Sequence, residues 1–127
     1  MPGGNISAIE WLENTATTIG EMLPRRGEIW WVRVDKRRPA LVVQTDAARE
    51  PRVRSFHVVP LTSRLHLSEL PGNVRLERRA TGLSKTSVAN VYDIQKALKS
   101  DFLECSGQLP IDRLAEVDAG MRLVLGL

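Results

Sequence analysis

Two short runs in this 127-residue chain carry side chains suited to phosphate chemistry. Arg37-Arg38-Pro39 enters the apolar run Ala40-Leu41-Val42-Val43, with Pro39 fixing the backbone and turning Arg38 to an extended conformation. Val58-Val59-Pro60-Leu61-Thr62-Ser63-Arg64 leaves a second apolar run with two hydroxyls and a guanidinium just past it. If the two runs are neighbouring strands, Arg38 and Thr62 converge on one phosphate, and the planar fork of arginine suits that ligand better than a lysine point charge. Taken separately, each run is ordinary strand-edge punctuation. His57 and His66 offer an acid/base pair for RNA cleavage. A histidine in a strand beside Phe56 and Val58 is more often a packing or surface residue. Cys105 follows Glu104, and a neighbouring carboxylate raises a thiol's pKa, so this lone cysteine reads as structural. It makes no internal disulfide and no cysteine-based metal cluster. Nucleotide-loop, dinucleotide-binding and zincin motifs are absent from the sequence.

The elements that must hold these residues are mostly strands. β-formers fill Glu28–Val34, and Pro39–Thr45 is apolar enough for a strand buried on both faces. Val53–Leu61 makes a third strand, Asn73–Glu77 alternates after the Pro71-Gly72 turn, and Ser87–Tyr92 and Phe102–Ser106 are short strands. The chain closes with a helix whose first turn holds Pro110 and whose apolar face is Leu114, Val117, Met121, Val124 and Leu125. A further helix is predicted before Pro24, opened by the capping box Ser7-Ala8-Ile9-Glu10 and striped by Leu12, Ala16, Ile19 and Leu23. The division is a helical extension over 1–24 and a β-rich domain over 25–127. Several short strands plus one terminal helix predict a mainly β (α+β) small barrel or curled antiparallel sheet.

Composition supports a single globular domain with one hydrophobic core, at 43% apolar and 26% charged residues. No apolar run approaches the roughly 18 residues that span a bilayer, and no secretory leader pattern opens the chain, which predicts a cytoplasmic protein without membrane partners. The net charge of +3 conceals an asymmetry. Residues 25–85 carry 14 Lys or Arg against 6 Asp or Glu, while residues 1–24 carry three acids and no base. A basic middle flanked by acidic ends is an electrostatic footprint for a polyanion, and equally the footprint of an arginine-rich solvated surface.

Five stretches together are more specific. Arg26-Gly27-Glu28-Ile29-Trp30-Trp31-Val32, Arg37 through Asp46, Val58 through Ser63, Leu70-Pro71-Gly72-Asn73-Val74 and Gly82 through Val91 occur in an order that resembles the PemK/Kid/MazF family of toxin endoribonucleases. The C-terminal Leu114-Ala115-Glu116-Val117-Asp118 also matches, and the resemblance covers nearly all of residues 25–127.

The resemblance implies an SH3-like barrel with added helices, a symmetric homodimer and a cleft for single-stranded RNA. It implies metal-free, cofactor-free, sequence-specific cleavage in the manner of an mRNA interferase. Attack by the ribose 2′-OH would leave a 2′,3′-cyclic phosphate and a 5′-OH, and a 2′-OH requirement selects RNA over DNA. The family's catalytic arginine falls on Arg38 and its catalytic threonine on Thr62, with Arg37, Ser63, Arg64 and Asn90 as substrate contacts. A guanidinium in a sheltered cleft stabilises the pentavalent phosphorane more than the ground state. Because its pKa exceeds roughly 12, Arg38 is assigned to charge stabilisation rather than proton transfer, and the base is left unassigned. A growth-regulating toxin of this kind implies a cognate antitoxin that lays an acidic tail across the basic cleft.

Two departures mark this chain. Only Asp35, Lys36 and Arg37 separate Val34 from Arg38, where relatives carry a longer loop over the cleft. Asn90 and Tyr92 stand where some relatives place a charged catalytic pair. Residues 1–24 have no general family counterpart; they read as packing or dimer extension, or as an acidic screen on the basic segment. Two other classes compete with the nuclease: a non-catalytic barrel of the same shape that binds a protein target such as DNA gyrase, and a member that binds RNA without cutting it. The first of these does not need the Arg-Pro and Thr-Ser elements, so their presence together favours the nuclease over it.

Overall fold

A computed structural model describes residues 23–48 and 50–127. The helix predicted before Pro24 lies outside the described residues. Seven strands and two α-helices follow in the order β1 (Glu28–Arg33), β2 (Arg37–Val42), β3 (Ser55–Thr62), β4 (Val74–Leu76), α1 (Arg78–Thr81), β5 (Ser87–Ala89), β6 (Gln95–Leu98), β7 (Phe102–Gln108) and α2 (Ile111–Leu125). The strands form one antiparallel sheet in the order β4-β5-β3-β2-β1-β7, with β6 also paired to β3. It is the mainly β, curled half-barrel with a C-terminal helix that the sequence predicts.

β3 organises the sheet because it is the longest strand and has three partners. Its first half pairs with β6 from Ser55↔Leu98 to Val58↔Gln95. Its middle pairs with β2 at Val58↔Val42, Val59↔Leu41 and Pro60↔Ala40. Its end pairs with β5 at Leu61↔Ala89 and Thr62↔Val88. Pro39 has no N–H to donate to β3, so the β2–β3 ladder ends at Ala40↔Pro60 and the two strands run on without it, while the Pro60 carbonyl faces the other way and accepts the Asn90 N–H at 3.1 Å. On its other side β2 is held to β1 by a hairpin closed over residues 34–36, with Arg33 paired to Arg37. The tight turn lets pairing start at once, so β2 begins two residues before the predicted Pro39.

Side-chain alternation divides the core in two. Ile29, Leu41, Val59, Leu61, Val74, Leu76 and Ala89 face α2, which contributes Val117 and, partly buried, Leu114, Met121 and Val124. Val32, Ala40, Val42, Val58 and Ala97 fill the opposite face. Trp30 and Phe102 pack there edge to face with centroids 5.7 Å apart, and Phe56 meets Phe102 in the same way at 5.5 Å. Full burial of an Ile29 or Leu41 is worth about 1.5–3 kcal/mol each.

Three details of the prediction change. Pro110 caps α2 from outside, and its carbonyl accepts the Leu114 N–H at 2.9 Å. Leu125 is exposed, because the helix ends there at the left-handed Gly126. β6 and α1 are additional elements, β6 being built from Gln95-Lys96-Ala97-Leu98 with no β-branched residue.

α2 rests directly on backbone. A Cβ at Gly120 would sit 1.9 Å from the Gly72 carbonyl oxygen, and Gly72 itself turns the chain at φ +96°. Arg26 anchors the same helix from the other side through an ion pair with Asp118. Helix propensity alone predicts that Gly120→Ala stabilises the protein by roughly 1 kcal/mol. The contact reverses that sign. We expect Gly120→Ala to destabilise by about 2 kcal/mol or more, read as a lowered urea midpoint. An unchanged or raised midpoint would contradict the packing described.

Candidate active site

The register across β3 positions the candidate residues. Continuing the β2–β3 pairing by two residues from Ala40↔Pro60 sets Arg38 across from Thr62. Directly opposed residues share a face, with Cβ atoms about 5 Å apart in a regular ladder. Thr62 is paired on its other side with Val88, which places Asn90 diagonally on that face at roughly 7–8 Å. The register therefore sets Arg38, Thr62 and Asn90 toward one face, with Arg38 and Thr62 just beyond the last β2–β3 pair and Asn90 one residue past the end of β5.

Arg38 is half-buried and its side chain makes no hydrogen bond or ion pair among the described residues, as is also true of exposed arginines such as Arg33, Arg75 and Arg122. Several others are occupied. Arg26 pairs with Asp118, Arg52 with Glu50, and Arg113 with both Glu77 and Glu116. An unpaired guanidinium on a partly sheltered surface keeps its donors for an incoming anion.

Thr62 has a fixed hydroxyl. Its Oγ1 accepts the Arg64 N–H at 3.2 Å, which leaves the hydroxyl proton to donate. Arg64 also opens a 3-10 turn over Leu65–Glu69, its carbonyl accepting the Leu67 N–H at 3.1 Å. The side chains of Ser63 and Arg64 are exposed at this strand end.

Arg37 is not brought to the group. Adjacent residues of a strand point to opposite faces. Its guanidinium lies 4.1 Å from the Trp31 ring centroid and 3.0 Å from Glu104, at an edge where such pairs are worth about 1 kcal/mol or less.

The two histidines stand apart. His57 is bound to Gln44, Nδ1 to Oε1 at 2.9 Å, five residues or about 17 Å up β3 from Thr62. His66 is exposed in the 3-10 turn beyond the other end of the strand. Cys105 is exposed, and desolvation of its thiol, followed by the charge of Glu28, raises its pKa above that of an ordinary cysteine. The carboxylate that acts on it is therefore Glu28 from β1 rather than the adjacent Glu104. No three His, Cys, Asp or Glu side chains among the described residues are grouped to hold a metal ion.

Sequence reasoning overlooks Asn73, which ties the site's rim together. Its Oδ1 accepts the Val91 N–H at 2.8 Å, and its Nδ2 donates to the Leu67 carbonyl at 3.0 Å and to Asn90 Oδ1 at 3.2 Å. The only signal for it was its place directly after the Pro71-Gly72 turn. Chemically, the group as a whole offers a charged fork and an oriented hydroxyl to one phosphodiester, beside an amide.

Comparison with known proteins places the chain in a family. Residues 25–125 match the family model described as PemK-like, MazF-like toxin of type II toxin–antitoxin system. Endoribonuclease MazF6 of Mycobacterium tuberculosis is 36% identical over 114 residues, covering 84% of this chain and 100% of its own length. Endoribonuclease MazF9 of the same organism is 32% identical over 115 residues, covering 81% of this chain and 97% of its own. Among solved structures, a chain of the MazE–MazF crystal structure from Deinococcus radiodurans superposes with a TM-score of 0.68 at 28% identity, covering 84% of this chain and 100% of that one. The Mycobacterium tuberculosis toxin MazF-mt6 shares the fold, with a TM-score of 0.70 at 22% identity, over 79% of this chain and 97% of that one. With a family match across residues 25–125 and relatives this similar along their whole length, the chain belongs to the PemK-like, MazF-like toxin family of type II toxin–antitoxin systems.

Proposed function

We propose that this chain is an endoribonuclease toxin that cuts single-stranded RNA at short sequences without a metal ion, and that a cognate antitoxin neutralises it. The observation that carries the reading is the unpaired guanidinium of Arg38 set across from the oriented hydroxyl of Thr62. The similar MazF6 and MazF9 proteins are named endoribonucleases, and the Deinococcus radiodurans relative is a toxin solved with MazE.

In the proposed reaction the ribose 2′-oxygen attacks the adjacent phosphorus and the P–O5′ bond breaks, giving a 2′,3′-cyclic phosphate and a 5′-OH. The 2′-OH gives up its proton and the departing 5′ oxygen gains one. Negative charge builds on the non-bridging oxygens as the phosphorane forms. Arg38 donates to one of these oxygens with full positive charge, and Thr62 donates its hydroxyl proton to another. Both donors are in place beforehand, so little reorganisation is needed when the charge develops. Arg64 and Ser63 hold the strand on the 3′ or 5′ side, and Asn90 lies beside the reacting nucleotide. Arg37 contributes from the neighbouring edge by exchanging Glu104 for a backbone phosphate.

The antitoxin engages the same basic surface with an acidic tail, and the chain acts as a homodimer. The domain boundary fits this reading, since the family match begins at residue 25 and residues 1–24 are then an extension to a barrel over 25–127. No helix among the described residues is long and apolar enough to cross a membrane, and action on cellular RNA makes the protein cytoplasmic.

Cleavage of single-stranded RNA in EDTA tests the reading. Arg38→Ala should lose on the order of 10² or more in kcat, as removal of a transition-state donor does. Arg38→Lys should recover only a minor part, because a point charge cannot replace the fork. Near wild-type rates in Arg38→Ala, or cleavage abolished by the chelator, would contradict the mechanism. Thr62→Val keeps the shape and removes the hydroxyl. We expect a loss of about 10- to 100-fold in kcat, the range for one hydrogen bond to a charged group, with circular dichroism unchanged. An undiminished kcat would remove Thr62 from the reaction.

A further inference from the structure

The rim of the site carries an amide of fixed polarity and an aromatic ring pinned in place, and their chemistry goes beyond holding the chain. Asn73 sets the polarity of Asn90. The Val91 N–H can only donate and the Leu67 carbonyl can only accept, so Asn73 must present Oδ1 to the first and Nδ2 to the second. Its Nδ2 then also donates to Asn90, which must answer with Oδ1. The Tyr92 N–H donates to that same oxygen at 3.3 Å. Both acceptor positions of the Asn90 amide are therefore taken. Its Nδ2 has no partner among the described residues and offers donors only, on the face shared with Thr62.

Tyr92 is held at both ends. Its backbone N–H is tied to Asn90, and its hydroxyl donates to the Pro71 carbonyl at 2.6 Å. The residue nonetheless remains 49% exposed. With its hydroxyl satisfied, the exposed surface of this residue is a flat apolar platform whose orientation is already fixed. A pre-ordered ring loses little rotamer freedom when a base stacks on it.

We propose that Tyr92 and Asn90 form a nucleobase subsite beside the scissile phosphate, the ring stacking on one unpaired base and Asn90 Nδ2 donating to that base's edge. The proposal rests on the endoribonuclease reading and assigns part of its sequence preference. A donor-only amide meets a carbonyl oxygen or a ring nitrogen but not an exocyclic amino group. It therefore favours uracil, which carries carbonyl oxygens and no amino group, over adenine and cytosine, whose amino groups compete on the same edge. A purely structural Asn90 would behave differently. Both internal bonds go to its oxygen, so an aspartate there would preserve them while turning the free group from donor to acceptor.

That difference defines the test. Full-length wild type, Asn90→Asp, Tyr92→Ala and Tyr92→Phe are each incubated with a randomised single-stranded RNA pool. Base frequencies around the cut, and in the bound fraction, are read by sequencing. Wild type should favour uracil at one position flanking the cut, and Asn90→Asp, whose carboxylate accepts from an amino group, should raise adenine and cytosine there about tenfold relative to uracil. Tyr92→Ala should lower kcat/KM about tenfold, and Tyr92→Phe, which keeps the ring, should recover most of it. RNA cut with the same base preference in Asn90→Asp, or at the wild-type rate in Tyr92→Ala, overturns the subsite and leaves the endoribonuclease reading standing. If wild type binds the pool without cutting, the bound fraction decides the subsite on its own and the cleavage reading falls. Wild type that neither binds nor cuts RNA overturns both.

Discussion

The register of β3 is the constraint on which everything else depends. Ladders from β2, β5 and β6 all end on this strand, and each fixes which of its residues face which core. A slip of one residue would turn Thr62 away from Arg38 and push Val59 and Leu61 out of the core that α2 covers. Site geometry and core burial are thus enforced together. Pro39 adds a second condition at the same place. By withholding a backbone donor from β3 it stops the ladder at Ala40↔Pro60, two residues short of Arg38 and Thr62.

Electrostatics then separates the arginines that brace the fold from Arg38. Arg26 meets Asp118 on α2, and Arg113 of α2 meets Glu77 just past β4, and both pairs help hold that helix against the sheet. Arg37 rests on Trp31 against Glu104. Arg38 differs from its neighbour only by the strand's two-residue period, yet it is left without a partner. A carboxylate beside it would cancel much of its value to a phosphate, and none among the described residues pairs with it. The same open cation offers an acidic peptide a place to bind, which gives RNA and antitoxin a common reason to compete for it.

Much of this was legible in the sequence, and the rest failed for identifiable reasons. The Arg-Pro and Thr-Ser elements declared themselves because few residue types suit phosphate and both stood at the ends of apolar runs. The resemblance distinguishes Arg38 from Arg37, but alternation does not while the strand begins at Pro39, because loop residues carry no alternation. Once β2 is seen to start at Arg37, the period separates them. β6 was illegible because Gln95-Lys96-Ala97-Leu98 has no strand propensity of its own. It forms because β3 has an open edge and Ala97 fits, fully buried, against Phe56. Asn73 was hidden for a different reason: its partners lie up to 18 residues away, and no local pattern announces them.

The central claim is that Arg38 and Thr62 act on the same phosphate, and a double-mutant cycle measures this most directly. Single-turnover cleavage rates in EDTA are compared for wild type, Arg38→Ala, Thr62→Val and the double variant. Two donors serving one developing charge should be strongly coupled, so the double variant should be much less impaired than the product of the two single losses. If the losses simply multiply, the residues act independently and the convergence described here is wrong.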